Sequence, residues 1–226
     1  VAVGYALAVV YPAAGNLGGG GFMTLHLADG RKSFLDFREK APLAATPHMY
    51  LDDKGNVIRG LSTKSHLAVA VPGTVDGLER ARSLYGTKPR ADLIAPAIAH
   101  AEQGFVLEAG DVDLLRTATE DLHKDPPSAA IFLKKGQPLE VGDRLVQKDL
   151  AQTLRHISAQ GRDGFYQGPV AAALIASNQA GNDKGKGLIT QADLDQYRTR
   201  EFQPVECDYR GYRIISAPPP SSGGTI

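Results

Sequence analysis

Asn16-Leu17-Gly18-Gly19-Gly20-Gly21-Phe22-Met23-Thr24-Leu25-His26-Leu27-Ala28-Asp29-Gly30-Arg31-Lys32-Ser33-Phe34-Leu35-Asp36-Phe37-Arg38 holds the densest structural signals in this chain. Four consecutive glycines mark a turn in which the backbone can approach its neighbours closely, or adopt positive φ, where a Cβ would forbid it. Residues 22–27 and 33–37 then read as short strands, and Asp29-Gly30 between them is a hairpin signal. Arg38 falls at the end of the second strand, entering a loop that contains Pro42. Strand ends leading into loops are where rigid scaffolds present functional groups.

Working outward, residues 1–10 are apolar nearly all round and read as a buried helix stopped by Pro12. Residues 52–56 suggest another turn. From Gly73 the pattern becomes helical: Val75, Leu78 and Arg82 precede Gly86, and residues 91–103 place Leu93, Ile94, Ala97, Ile98 and Ala101 on one side. Residues 149–159 carry Leu150, Leu154 and Ile157 as a stripe, and residues 170–177 are a further apolar helix. Thr190 followed by Asp193 is a capping-box pattern that opens a short helix with Leu194 and Tyr197. Residues 203–209 and 212–216 form a second predicted hairpin, turning at Arg210-Gly211. Strands near both ends with helices between them predict a layered α+β chain, a single domain over 1–226 with a helical excursion.

The composition excludes several functions. A chain of 226 residues has room for a real core, burying roughly 70–75% of its unfolded surface. Its 25 basic and 25 acidic residues cancel, so no overall field draws nucleic acid or an anionic membrane to it. Lys184-Gly185-Lys186 is too short to change that and reads as a solvated turn. The single cysteine, Cys207, rules out an internal disulfide framework; in its strand-like run it reads as a small core residue. The longest apolar stretch, residues 1–12, is too short to span a bilayer and lacks a basic lead-in. The chain opens inside that stretch without an initiator Met, and it stops abruptly after residues 217–226. Both ends are expected to be cuts through a larger protein.

Familiar catalytic motifs are missing. No G-x-G-x-x-G passes through Gly18 to Gly21, and Gly181 to Gly187 lacks the Lys-Ser/Thr ending of a phosphate loop. No G-x-S-x-G elbow accompanies the glycines. His26, His48, His66, His100, His123 and His156 are scattered without metal-ligand spacing and read as structural or exposed. Pro218-Pro219-Pro220 reads as a stiff exit from a strand. For Arg38, two readings compete. A guanidinium fork suits bidentate capture of a carboxylate; against that stands a surface ion pair with Asp36 or Glu39, worth about 0–1 kcal/mol.

Taken together, the segments resemble one family. Gly15 to Phe22, then Asp36-Phe37-Arg38-Glu39-Lys40-Ala41-Pro42, then Val71-Pro72-Gly73-Thr74-Val75 are similar to the gamma-glutamyltransferase large chain in order and spacing. The similarity continues through Gly142-Asp143-Arg144-Leu145-Val146-Gln147, Phe165-Tyr166-Gln167-Gly168 and Gly187-Leu188-Ile189-Thr190. It closes with Asp208-Tyr209-Arg210-Gly211-Tyr212 and the run from Pro218 to Gly224, so it covers essentially the whole chain. Tyr11-Pro12-Ala13-Ala14 departs from the family, where many members carry His-Pro-Gln.

The resemblance implies an N-terminal-nucleophile hydrolase with an αββα sandwich, incomplete in this chain. It implies a precursor that cuts itself and a small subunit whose new N-terminal threonine is the nucleophile, so that no catalytic residue lies in this chain. A threonine hydroxyl next to a free α-amine is activated by that base. Substrates would be glutathione and other gamma-glutamyl amides, with no metal or organic cofactor. Arg38 maps to the family's arginine for the donor's α-carboxylate. A periplasmic or secreted location is implied in the same way. Alternatives on the same fold are a cephalosporin (glutaryl) acylase or a capsule gamma-glutamyl transferase; a relative that has lost catalysis is the alternative of another class.

Overall fold

Strand-like stretches towards both ends, with helical stretches before and between them, fold as an α+β chain. The structure is a computed structural model and describes residues 1–182 and 184–224. By internal contact it divides into two compact units, Val1–Asn16 with Thr87–Gly164, and Leu17–Gly86 with Phe165–Ile226.

The first unit is the helical one. Helix Arg90–Gln103 packs against both Ala2–Val10 and Lys148–Gln160. Ile94, Ala97 and Ala101 are fully buried on its inner face, and the two alanines let neighbouring helices come close. Lys148–Gln160 answers with Ala151, Leu154 and Ile157, so Ala151 joins the predicted stripe and Leu150 lies only half-buried. Gln147 Nε2 donates to Val9 O at 2.9 Å, satisfying a carbonyl at the end of Ala2–Val10. That helix is not buried all round as its composition suggests. Tyr5, Ala8 and Val9 are buried, whereas Val3 is 69% exposed and Leu7 42%, because within this chain one face is packed.

A satellite cluster of Leu107, Val112, Leu139 and Leu145 gathers Phe105, Leu115 and Phe132 around it. Two helices that the periodicity did not reveal stand beside this cluster. Ala109–Thr117 opens with a capping box of Glu108 and Asp111, and Pro126–Phe132 is capped by Asp125, which accepts from Ser128 N at 3.0 Å.

The second unit contains the sheet. Strands Phe22–His26 and Lys32–Asp36 pair antiparallel with Phe22 opposite Asp36 and His26 opposite Lys32. Gly30 takes φ 87° in the turn, as the Asp-Gly signal predicts. A third strand, Arg200–Phe202, joins the other edge of Lys32–Asp36, bringing Arg200 opposite Asp36. As the central strand, Lys32–Asp36 is buried from Ser33 to Asp36 with no polar alternation.

Helices Thr74–Tyr85, Gly168–Ala180 and Gln191–Gln196 belong to the same unit. The predicted capping box at Thr190 and Asp193 is fully formed. The hairpin Val205–Tyr209 with Tyr212–Ser216 turns through Arg210 at φ 48° and Gly211 at φ 83°, and its strands pair only with each other among the described residues. Cys207 is therefore not a core residue: it is exposed on that hairpin.

Candidate functional site

The glycine run, the Asp-Phe-Arg-Glu segment and the Val-Pro-Gly-Thr segment, separate in sequence, meet in the second unit. The strand ladder continues one step past its formal end: Phe37 N donates to Gly21 O at 3.0 Å and Gly21 N to Phe37 O at 3.3 Å. Gly19 O then accepts from Gly73 N at 2.7 Å and Thr74 N at 3.0 Å, fixing the start of helix Thr74–Tyr85. Lys40 and Val71 exchange both backbone bonds, at 3.2 and 2.8 Å. Backbone on either side thus holds residues 37–40.

Close approach, not a left-handed backbone, explains the glycines. None of Gly18 to Gly21 has a positive φ. A Cβ on Gly20 would lie 2.5 Å from Phe37 O, and one on Gly73 would lie 2.0 Å from both Phe37 O and Tyr197 Oη. Helical Gly77 makes room for the Phe37 ring, which a Cβ would meet at 2.2 Å. Gly18, by contrast, faces open space. The run is a packing device at one position and an ordinary turn at another.

Arg38 sits at the centre of this arrangement. Its amide donates to Asp36 Oδ1 at 3.1 Å, and its carbonyl accepts from the Tyr197 hydroxyl at 2.9 Å. Its side chain is exposed and makes no hydrogen bond or ion pair with a described residue. The surface ion pair weighed against it does not form. Asp36 is 4% exposed, and its Oδ2 is taken by Arg200 Nη2 at 2.5 Å. Glu39 points to solvent without engaging Arg38. A guanidinium with no such partner has two parallel N–H donors to offer a carboxylate.

Two further carboxylates brace the neighbourhood. Asp76, on the first turn of Thr74–Tyr85, accepts from Thr199 N and Oγ1, both at 2.7 Å. Asp193 accepts from Leu43 N at 2.6 Å and from Thr190 N and Oγ1 at 2.8 and 2.7 Å. Burial would push the Asp193 carboxyl up, but these hydrogen bonds outweigh it and hold the group below its ordinary value. A cleft of about 220 Å³ lies beside it, lined by Lys40, Val71 and Tyr197 among others, and another of about 280 Å³ is lined by Gly18, His66 and Ile189 among others; Arg38 lines neither.

His66 Nδ1 is 2.9 Å from Ser177 O. Among the described residues no group of three or more His, Cys, Asp or Glu could hold a metal ion, and no helix is long and apolar enough to cross a membrane. The sequence singles out Arg38 and the glycines, whereas Tyr197 stands in it only as one residue of a helical stripe. A buried tyrosine usually finds a partner for its hydroxyl, which was the signal available.

The chain belongs to the gamma-glutamyltranspeptidase family, whose model matches residues 1–226. It is 70% identical over 227 residues to the glutathione hydrolase proenzyme of Pseudomonas sp. (strain A14), a match covering 100% of this chain and 39% of that protein. It is 48% identical over 225 residues to the glutathione hydrolase proenzyme of Escherichia coli (strain K12), covering 99% and 38%. The crystal structure of Helicobacter pylori gamma-glutamyltranspeptidase superposes with a TM-score of 0.95 at 49% identity, covering 99% of this chain and 63% of that one. The chain thus spans about two-fifths of the length of the curated relatives it matches.

Proposed function

We propose that this chain is the large-subunit portion of a γ-glutamyl transferase/hydrolase acting on glutathione and related γ-glutamyl amides. The observation that carries the reading is the Arg38 guanidinium, paired with no described residue, on a backbone clamped at both its amide and its carbonyl, in a chain of this family. Arg38 receives the α-carboxylate of the donor through two parallel N–H···O bonds, and so orients the γ-amide. The nucleophile is an N-terminal threonine of a small subunit released when the precursor cleaves itself. Its hydroxyl adds to the γ-carbonyl, its proton passes through the α-amine to the departing amine, and a γ-glutamyl ester remains. Water or an acceptor amine then takes the γ-glutamyl group and restores the threonine. The proenzyme names of the relatives support the two-chain origin.

In the same reading, the sheet and helices described here form part of an αββα sandwich completed by the small subunit, and the enzyme works in the periplasm or outside the cell. Resemblance alone supports the location; fractionation that leaves all the protein in the cytosol would remove it. Turnover of a γ-glutamyl anilide by the full-length, self-cleaved protein tests the activity. Exclusive turnover of glutaryl-cephalosporin or poly-γ-glutamate would shift the substrate class, and no turnover of any of the three would mark a non-catalytic relative.

A further inference from the structure

We propose that Tyr197 is a positioning residue for the donor-binding guanidinium: its hydroxyl fixes the Arg38 carbonyl and thereby sets where the Arg38 side chain stands. The inference rests on the reading of Arg38 given above.

Tyr197 follows helix Gln191–Gln196 as its C-cap, with its amide bonded to Asp193 O at 3.1 Å. Its ring is 2% exposed and stacks on Tyr166 with centroids 5.9 Å apart and planes 10° from parallel. Lys40 Nζ lies over the ring, 5.0 Å from the centroid. Tyr166 is itself anchored, donating its hydroxyl proton to Pro72 O at 2.8 Å. The stack therefore joins the end of one helix to the Pro72-Gly73 entrance of another. At its tip the Tyr197 hydroxyl sits in a slot that exists because residue 73 is glycine.

A phenol has one proton to donate, and here it goes to Arg38 O. Burial, then the charges of Asp76, Asp36 and Glu39, push the phenol upward, so it remains a donor at any working pH. Packing alone would accept phenylalanine, which fills almost the same volume and stacks as well. Phenylalanine would lack the hydroxyl's bond to Arg38 O. With Asp36 on the Arg38 amide and Tyr197 on its carbonyl, the peptide units on both sides of the Cα are pinned, while the side chain bonds to no described residue. Such pinning lowers the cost of ordering the guanidinium around a carboxylate.

The test uses the full-length, self-cleaved enzyme and a double-mutant cycle with Tyr197→Phe and Arg38→Ala. Loss of one neutral hydrogen bond should raise the KM for a γ-glutamyl anilide roughly three- to tenfold in the wild-type background. The kcat should stay unchanged, and the effect should vanish once Arg38 is alanine. Gln147→Leu, which removes a buried bond to Val9 O in the helical unit, serves as a stability control that should lower Tm without moving KM.

A wild-type KM for Tyr197→Phe overturns the proposal. So does an equal rise in KM with and without Arg38, which would mark Tyr197 as generally structural. A Tyr197→Phe protein that fails to mature while Gln147→Leu matures normally overturns it too, since the hydroxyl would then serve the fold. If Arg38→Ala is the silent single variant, the carboxylate reading of Arg38 fails first; if only Tyr197→Phe is silent, that reading stands and this inference falls.

Discussion

Adding one methyl group to Gly20 should displace the backbone of Arg38. A Cβ there would lie 2.5 Å from Phe37 O, 2.8 Å from Glu39 N and 3.0 Å from Arg38 C. Ordinary contact starts near 3.4 Å, so the two backbones must separate by about 0.9 Å at the closest pair. All three atoms are main-chain and cannot rotate away as a side-chain tip would. Gly21 and Phe37 are also tied by two hydrogen bonds, which such a shift would stretch. The strain is of the overpacking kind, about 1–3 kcal/mol. A displacement near 1 Å at a substrate-orienting residue can cost up to about 100-fold in rate.

In the full-length enzyme, Gly20→Ala should therefore lower Tm by several degrees and raise the KM for a γ-glutamyl anilide. Gly18→Ala is the internal control. No atom lies within 4 Å of its added Cβ and its φ is not left-handed, so it should be neutral or stabilise by about 0.4–1 kcal/mol. Thermal melts and Michaelis curves on the two variants decide the matter. Equal effects, or a silent Gly20→Ala, would refute the close-approach account of the glycine run.

The remaining expectations can be checked on the same material. Gly73→Ala places a Cβ 2.0 Å from Phe37 O and Tyr197 Oη, too close for local relaxation, so the precursor should accumulate uncleaved on a denaturing gel; normal maturation would contradict this. Asp193 has a folded-state pKa below its ordinary value, so its contribution to stability is present above about pH 4 and lost as pH falls through the folded value. Asp193→Asn should accordingly flatten the acid limb of a Tm-against-pH curve, and an unchanged limb would show the carboxylate to be idle. The 226-residue chain purified alone should not turn over a γ-glutamyl anilide; activity would place the nucleophile within it.

Local signals made much of this architecture legible. Asp29-Gly30 and Arg210-Gly211 each mark a real hairpin, because positive φ is demanded where the chain reverses and few residues supply it. Thr190 and Asp193 mark a real helix start because both satisfy backbone amides within one turn. Arg200–Phe202 was not legible: three residues with two charges carry no strand pattern, and they become a strand by pairing with Phe34, Leu35 and Asp36, far away in sequence. Nor was the fate of Asp36, whose adjacency to Arg38 in sequence suggested a pair that Arg200 takes instead. The exposure of Cys207 and of Val3 shows the limit of composition. An apolar run says that a surface prefers cover, and not that this chain supplies it.

The central claim is that Arg38 grips the donor's α-carboxylate, and one set of Michaelis curves addresses it. Charge-assisted hydrogen bonds of this kind contribute about 1.5–3 kcal/mol, so Arg38→Ala should raise the KM for a γ-glutamyl anilide roughly 10- to 150-fold. Arg38→Lys should recover part of the loss, since an ammonium supplies the charge without the fork. Self-cleavage should proceed in both variants. A 4-aminobutanoyl anilide, which lacks the α-carboxylate, should be used equally well or poorly whether residue 38 is arginine or alanine. A wild-type KM for the γ-glutamyl anilide in Arg38→Ala would contradict the account and leave Arg38 an ordinary surface arginine.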